Sequence, residues 1–139
     1  MKGVISCGSI DTSKAGMYAF EQGGNAFDAA VAAQLMAFVS EPLLTGFGGA
    51  GIAAIRNKNK CSLVDMFTTM PGLEKSKGSN KVDEVYIDFG PTVQRFEIGL
   101  GSIAVPTMPK GLAYIHQKFC RLPLDVLIKP ALEATRNGI

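Results

Sequence analysis

The residues whose types and spacing could carry chemistry are few, and the first group is the run Thr45-Gly46-Phe47-Gly48-Gly49-Ala50-Gly51. Gly46-x-Gly48-x-x-Gly51 matches the GxGxxG string of dinucleotide-binding folds. Asp65, 19 residues after Gly46, stands near where a ribose-binding carboxylate is expected. That chemistry needs a strand before the glycines and a helix opening directly after them, so that the helix N-terminus receives the pyrophosphate. Here the glycines follow a helical pattern and lead into the strand-like Ile52-Ala53-Ala54-Ile55-Arg56, so the order is reversed. A structural turn into a core strand is the expectation, with a substrate contact through its backbone amides as the alternative. Thr68-Thr69 offers two hydroxyls, yet no self-cleavage context surrounds them, and a strand-end turn bonding local backbone is the simpler reading. His116, the only histidine, lies at helical spacing after Met108 and Leu112 and has no Ser or Cys partner in a recognisable motif. One ligand does not make a metal site, so it is expected as a partly exposed helix residue.

These groups need elements to position them. Gly3 to Cys7 reads as a short buried strand. Asp11 or Thr12 can cap a helix carrying Ala15, Tyr18, Ala19 and Phe20, closed by Gly23-Gly24. Asn25 starts a second helix, with Asp28 as a first-turn carboxylate at the positive end of the dipole. From Ala26 to Val39 that helix is apolar on nearly every side, a pattern that calls for burial in a larger body. Pro42 stops it. Ile52–Ile55 and Cys61–Met66 read as hairpin strands around Asn57-Lys58-Asn59-Lys60. Residues 74–84 are polar and read as a surface loop, and Val85–Phe89 pairs with Val93–Ile98 around Gly90-Pro91. Met108 to Phe119 and Leu124 to Arg136 have helical spacing.

Composition limits the function classes. Hydrophobic residues make up 47% of the 139 and charged residues 19%, so several elements are buried on more than one face or covered by a partner. The net charge is +2, and no Lys/Arg cluster interleaves with aromatics, which argues against nucleic acid as a partner. No apolar run reaches the roughly 18 residues of a membrane span, and Met1-Lys2 opens no signal peptide, so no membrane partner and a cytoplasmic location are expected. Cys7, Cys61 and Cys120 form neither a disulfide framework nor a CxxC site and are expected as small buried thiols.

Three segments, in order, resemble the gamma-glutamyltranspeptidase family of N-terminal nucleophile hydrolases. Gly23-Gly24-Asn25-Ala26-Phe27-Asp28-Ala29-Ala30-Val31-Ala32-Ala33 is similar to the family's GGNAxDAAVA helix start. Glu41-Pro42 leading to Gly46-Phe47-Gly48-Gly49-Ala50-Gly51 resembles its glycine-rich turn into a core strand. Val105-Pro106, Gly111-Leu112, Leu122-Pro123 and Pro130-Ala131 are similar to its VPG…GL…LP…PA run.

The resemblance implies an α+β fold, part of a four-layer αββα sandwich with antiparallel sheets. It also implies that residues 1–139 are the N-terminal segment of a large subunit, an incomplete domain whose threonine nucleophile lies downstream. On that reading no catalytic residue, metal or organic cofactor belongs to this chain. Its partners are the remainder of the same precursor and a small-molecule amide or gamma-glutamyl substrate. In the family an arginine in an Asp-Phe-Arg-Glu-x-x-Pro context pairs with the glutamyl α-carboxylate. Aligning Asp65 and Pro71 puts Phe67 at that arginine, beside Thr68, and makes these two the expected substrate-binding residues. Phenylalanine makes no charge-assisted pair with a carboxylate. Either Arg56 or Arg95 substitutes, or the substrate is another acyl amide, as in the acylase-like and amidohydrolase-like branches. A non-catalytic scaffold or interaction domain of the same fold is a further alternative, and a nucleotide-binding oxidoreductase the last.

Overall fold

The computed structural model describes residues 3–71 and 81–139. The chain divides into two compact units, residues 1–67 with 106–139, and residues 68–105.

In the first unit the chain opens as an extended stretch, residues 3–7, that has no strand partner among the described residues, so the expected strand is not formed. Its alternation survives. Ile5 and Cys7 turn inward, while Val4 is almost fully exposed. Helix α1 spans Ile10–Glu21 and is capped by Ser9, whose hydroxyl accepts from the Thr12 N–H at 3.1 Å, and not by Asp11 or Thr12. Thr12 is buried instead. Its hydroxyl donates to Glu41 Oε1 at 2.8 Å and lies 2.8 Å from Ser9 Oγ and 3.0 Å from Ser40 Oγ. This cluster ties the start of α1 to the residue before Pro42. Gly23, at φ +86°, closes α1, with the Gly24 N–H bonded to Ala19 O and the Gly23 N–H to Phe20 O.

Helix α2, Ala26–Ser40, is the centre of this unit. Ala29 and Ala32 share one buried cluster with Ala15 and Ala19 of α1, side chains small enough for two helix backbones to lie close. Val31, Leu35 and Met36 pack with Met108, Leu112 and Ile115 of α3 (Met108–Phe119) and with Leu127 and Ala131 of α4 (Leu124–Asn137). Burying a side chain as fully as Leu127 or Val31 contributes roughly 1.5–3 kcal/mol each. Strands β1, Ile52–Asn57, and β2, Lys60–Asp65, form an antiparallel hairpin with Ile52 opposite Asp65 and a two-residue turn at Lys58-Asn59. Only Ile55 of β1 is buried, so the expected core strand is half exposed here.

The second unit holds β3, Asp83–Asp88, paired antiparallel with β4, Val93–Ile98, Val85 lying opposite Phe96. Its first strand starts at Asp83, inside the segment expected as loop; residues 72–80 of that segment lie outside the described residues. Every residue of both strands is exposed. A bridge between Thr69 and Val105 closes the unit at its chain ends.

Candidate functional site

The glycine run is neither strand-flanked nor helix-opening. It is a string of turns after α2 that feeds β1, and it lacks the arrangement a pyrophosphate site requires. Gly46 and Gly48 stand in open space, where a Cβ would meet nothing within 4 Å. Gly51 is different. A Cβ there would lie 2.6 Å from Met108 Cε, and its backbone extends the hairpin ladder by two bonds to Met66, at 2.9 and 3.3 Å. The run delivers Gly51 to a crowded position between β2 and α3.

Directly opposite is the segment Asp65-Met66-Phe67. Met66 is buried, its side chain filling a notch at Gly111 of α3, where a Cβ would sit 1.9 Å from Met66 Cγ. One residue on, the alternation of extended chain turns Phe67 the other way, and the residue is 60% exposed. Within residues 1–139 Phe67 has no core around it. Its N–H donates to Asp65 Oδ1 at 2.9 Å, and its carbonyl accepts from Thr107 Oγ1 at 2.7 Å. Thr68, partly buried, begins the second unit. Thr69 exchanges backbone bonds with Val105, at 3.1 and 2.8 Å.

Of the two arginines considered as substitutes, only Arg56 lies in the unit that holds Phe67. Arg56 pairs with Cys61, at the turn end of the hairpin, four residues and so roughly 13 Å of strand from Asp65. Arg95, in the second unit, is engaged by Glu84 at 2.8 Å and Glu97 at 3.1 Å.

Asp28 does more than its first-turn position predicts. It completes a capping box with Asn25, whose N–H donates to Asp28 Oδ2 at 2.7 Å. It is also fully buried, and Oδ1 accepts the N–H groups of Arg121 and Leu122, each at 3.0 Å. Asn25 Nδ2 adds a bond to Phe119 O at 2.8 Å, and Phe27 stacks on Phe119 with ring centroids 5.0 Å apart. The GGNAxDAAVA-like start thus clamps the α3–α4 connection onto α2, a structural task that no local pattern discloses. Burial first, then the Asp28 charge and a hydrogen bond to it, push the neighbouring Cys120 thiol up to about 12. Cys7 and Cys120 are half-buried but Cys61 is exposed, contrary to the expectation of three buried thiols. His116 is partly buried and donates from Nε2 to Leu122 O at 3.0 Å, so it too braces this connection. A groove of about 580 Å³ runs between α2 and the extended N-terminal stretch, lined by Ala29, Ala33, Thr12 and Glu41; neither Phe67 nor Thr68 borders it.

Fold and site together define an α+β segment whose glycine-led turn and helix contacts hold one exposed residue on a fixed backbone. A family model described as gamma-glutamyltranspeptidase matches residues 12–139, and the chain belongs to that family. It is 29% identical over 139 residues to the acylase ACY 1 proenzyme of Pseudomonas sp. (strain SE83), covering 99% of this chain and 25% of that one. It is 31% identical to glutathione hydrolase 3 of Arabidopsis thaliana, covering 98% of this chain and 20% of the relative. The gamma-glutamyltranspeptidase structure from Helicobacter pylori superposes with a TM-score of 0.75 at 26% identity, over 100% of this chain and 40% of that one. The chain therefore spans about a fifth to a quarter of the length of these curated relatives.

Proposed function

We propose that residues 1–139 are part of an enzyme that transfers or hydrolyses gamma-glutamyl or related acyl-amide groups. The observation that carries this reading is the family match over residues 12–139. The nucleophile is a threonine outside this chain, freed at the N-terminus of a second subunit when a longer precursor cleaves itself. Its α-amine takes the hydroxyl proton as oxygen attacks the amide carbonyl, and passes it to the departing amine; water or an acceptor amine then releases the acyl group from the ester. Thr68 and Thr69 are not assigned that role, because no self-cleavage context surrounds them, and the Thr69 N–H and carbonyl are both engaged with Val105. The remainder of the precursor completes a four-layer αββα sandwich around these elements. Among the described residues the strands form two two-stranded hairpins, one of them exposed on both faces, which supports that need.

Phe67, with Thr68, borders the acyl group. A specific observation favours the acylase-like branch over gamma-glutamyl specificity: Phe67 is exposed, and Arg56 of the same unit lies at the far end of the β1–β2 hairpin, away from any α-carboxylate held there. The test is expression of the complete reading frame that contains residues 1–139. Two polypeptides, one beginning with threonine by mass spectrometry, and turnover of an acyl anilide are expected; an uncleaved, inactive product overturns the reading. In the active enzyme, Phe67→Arg is expected to raise kcat/KM for gamma-glutamyl anilide relative to hexanoyl anilide at least tenfold, the scale of one charge-assisted hydrogen bond. An unchanged ratio removes Phe67 from the acyl site.

A further inference from the structure

Both main-chain polar groups of Phe67 are engaged by side chains, and the residue before it is locked. Met66 is buried in the Gly111 notch and laddered to Gly51. The Phe67 N–H is held by Asp65, yet the residue is left 60% exposed. A backbone restrained at consecutive positions, carrying a large apolar ring into solvent, is a poor arrangement for stability and a good one for presenting that ring to a ligand.

The bond from Thr107 is the informative restraint. Thr107 is the N-cap residue of α3, where a threonine hydroxyl ordinarily accepts from the N–H two or three positions on. Pro109 occupies the second helical position and has no N–H to give, and Thr107 makes no capping bond at all. Its hydroxyl instead donates 2.7 Å to the carbonyl of Phe67, 40 residues away in sequence. A local preference is thus set aside for a long-range contact, the kind of departure expected at functional positions.

We propose that Thr107 is a positioning residue for acyl selectivity. By fixing the peptide plane that follows Phe67, it sets the direction of the phenyl ring against an apolar acyl chain. This rests on the reading of Phe67 as an acyl contact. It places a specificity determinant at the head of α3, on a residue that touches no substrate itself.

The test compares Thr107→Val, Thr107→Ser and Phe67→Ala in the processed full-length enzyme, on hexanoyl and gamma-glutamyl anilides. Thr107→Val keeps the shape and loses the donor. It is expected to lower the hexanoyl to gamma-glutamyl ratio of kcat/KM about fivefold, the scale of one hydrogen bond, chiefly through the KM for the hexanoyl substrate. Thr107→Ser restores the ratio, and helix content stays constant because the hydroxyl does not cap α3. A merely structural role lowers both substrates together and leaves the ratio unmoved, which overturns the proposal. A ratio shifted by Phe67→Ala but not by Thr107→Val removes Thr107 alone; a ratio moved by neither removes the acyl contact as well. If a variant fails to self-cleave, calorimetric titration of the unprocessed protein with hexanoate makes the same comparison. Weaker binding in Thr107→Val than in Thr107→Ser supports the role, and equal affinities overturn it.

Discussion

Asp28→Ala would leave the N–H groups of Asn25, Arg121 and Leu122 facing a buried void, since all three donate to this one carboxylate. Unsatisfied buried donors are expensive, and the expected loss is about 3 kcal/mol or more, read as a lower urea midpoint at unchanged slope. Asp28→Asn retains one acceptor oxygen and is expected to lose less. Equal midpoints for Ala and wild type would show that the clamp contributes nothing. The same carboxylate governs Cys120, whose thiol is raised from 9.0 to about 12 by burial and then by the Asp28 charge. A raised value in the folded state means that the native protein keeps a proton that the unfolded chain has released. The associated stability is complete below pH 9.0 and disappears as pH climbs towards about 12. Thermal melts across that window should therefore fall more steeply for the wild type than for Cys120→Ala. Parallel profiles would count against the coupling. At neutral pH the exposed Cys61 should react with iodoacetamide well before Cys120.

At the scale of elements, the join between β2 and α3 depends on complementary size: Met66 is accommodated because Gly111 has no side chain. Gly111→Ala is expected to cost about 1–3 kcal/mol by overpacking. Met66→Ala costs by leaving a cavity, and the pair should be less damaging together than the sum, with a coupling of about 0.5–3 kcal/mol in a double-mutant cycle. Strict additivity would place the two apart. The elements themselves were largely legible. Asn25 with Asp28 announced the start of α2, Gly23 the end of α1, Asn57–Lys60 the β1–β2 turn, and the spacing from Met108 gave α3 to its last residue. Failures came where a residue answers to something distant in sequence. The local pattern permits Thr12 as a cap, but it is held by Ser40 and Glu41, about 30 positions on. The stretch at residues 3–7 has strand alternation without a strand to pair with. Phe67 was legible as a candidate only through its alignment on Asp65 and Pro71. Thr107 carried no usable signal, since a threonine before a helix is ordinarily taken for a cap, and only the fold brings its hydroxyl to Phe67.

For the whole molecule, the governing fact is how much apolar surface stays in contact with water. In the first unit Val4, Leu43, Leu44 and Leu63 are each more than 70% exposed. In the second, one face of the β3–β4 hairpin presents Val85, Ile87, Phe89 and Phe96 with no covering layer among the described residues. Two-stranded hairpins are marginal in water, and unpaired strand edges beside apolar faces promote association. Residues 1–139 produced alone are therefore expected to bind a hydrophobic dye at neutral pH and to sediment as a concentration-dependent distribution above the monomer mass of 14.7 kDa. Unfolding should be broad, with the helical signal outlasting any signal from the hairpins, because the buried contacts centre on α2. If the chain is part of the larger precursor proposed above, joining it to the rest of that precursor should abolish dye binding. A monomeric 139-residue species that excludes the dye and unfolds in one sharp transition would mean that these faces need no partner. The proposal that the chain is one part of a larger sandwich would then lose its physical basis.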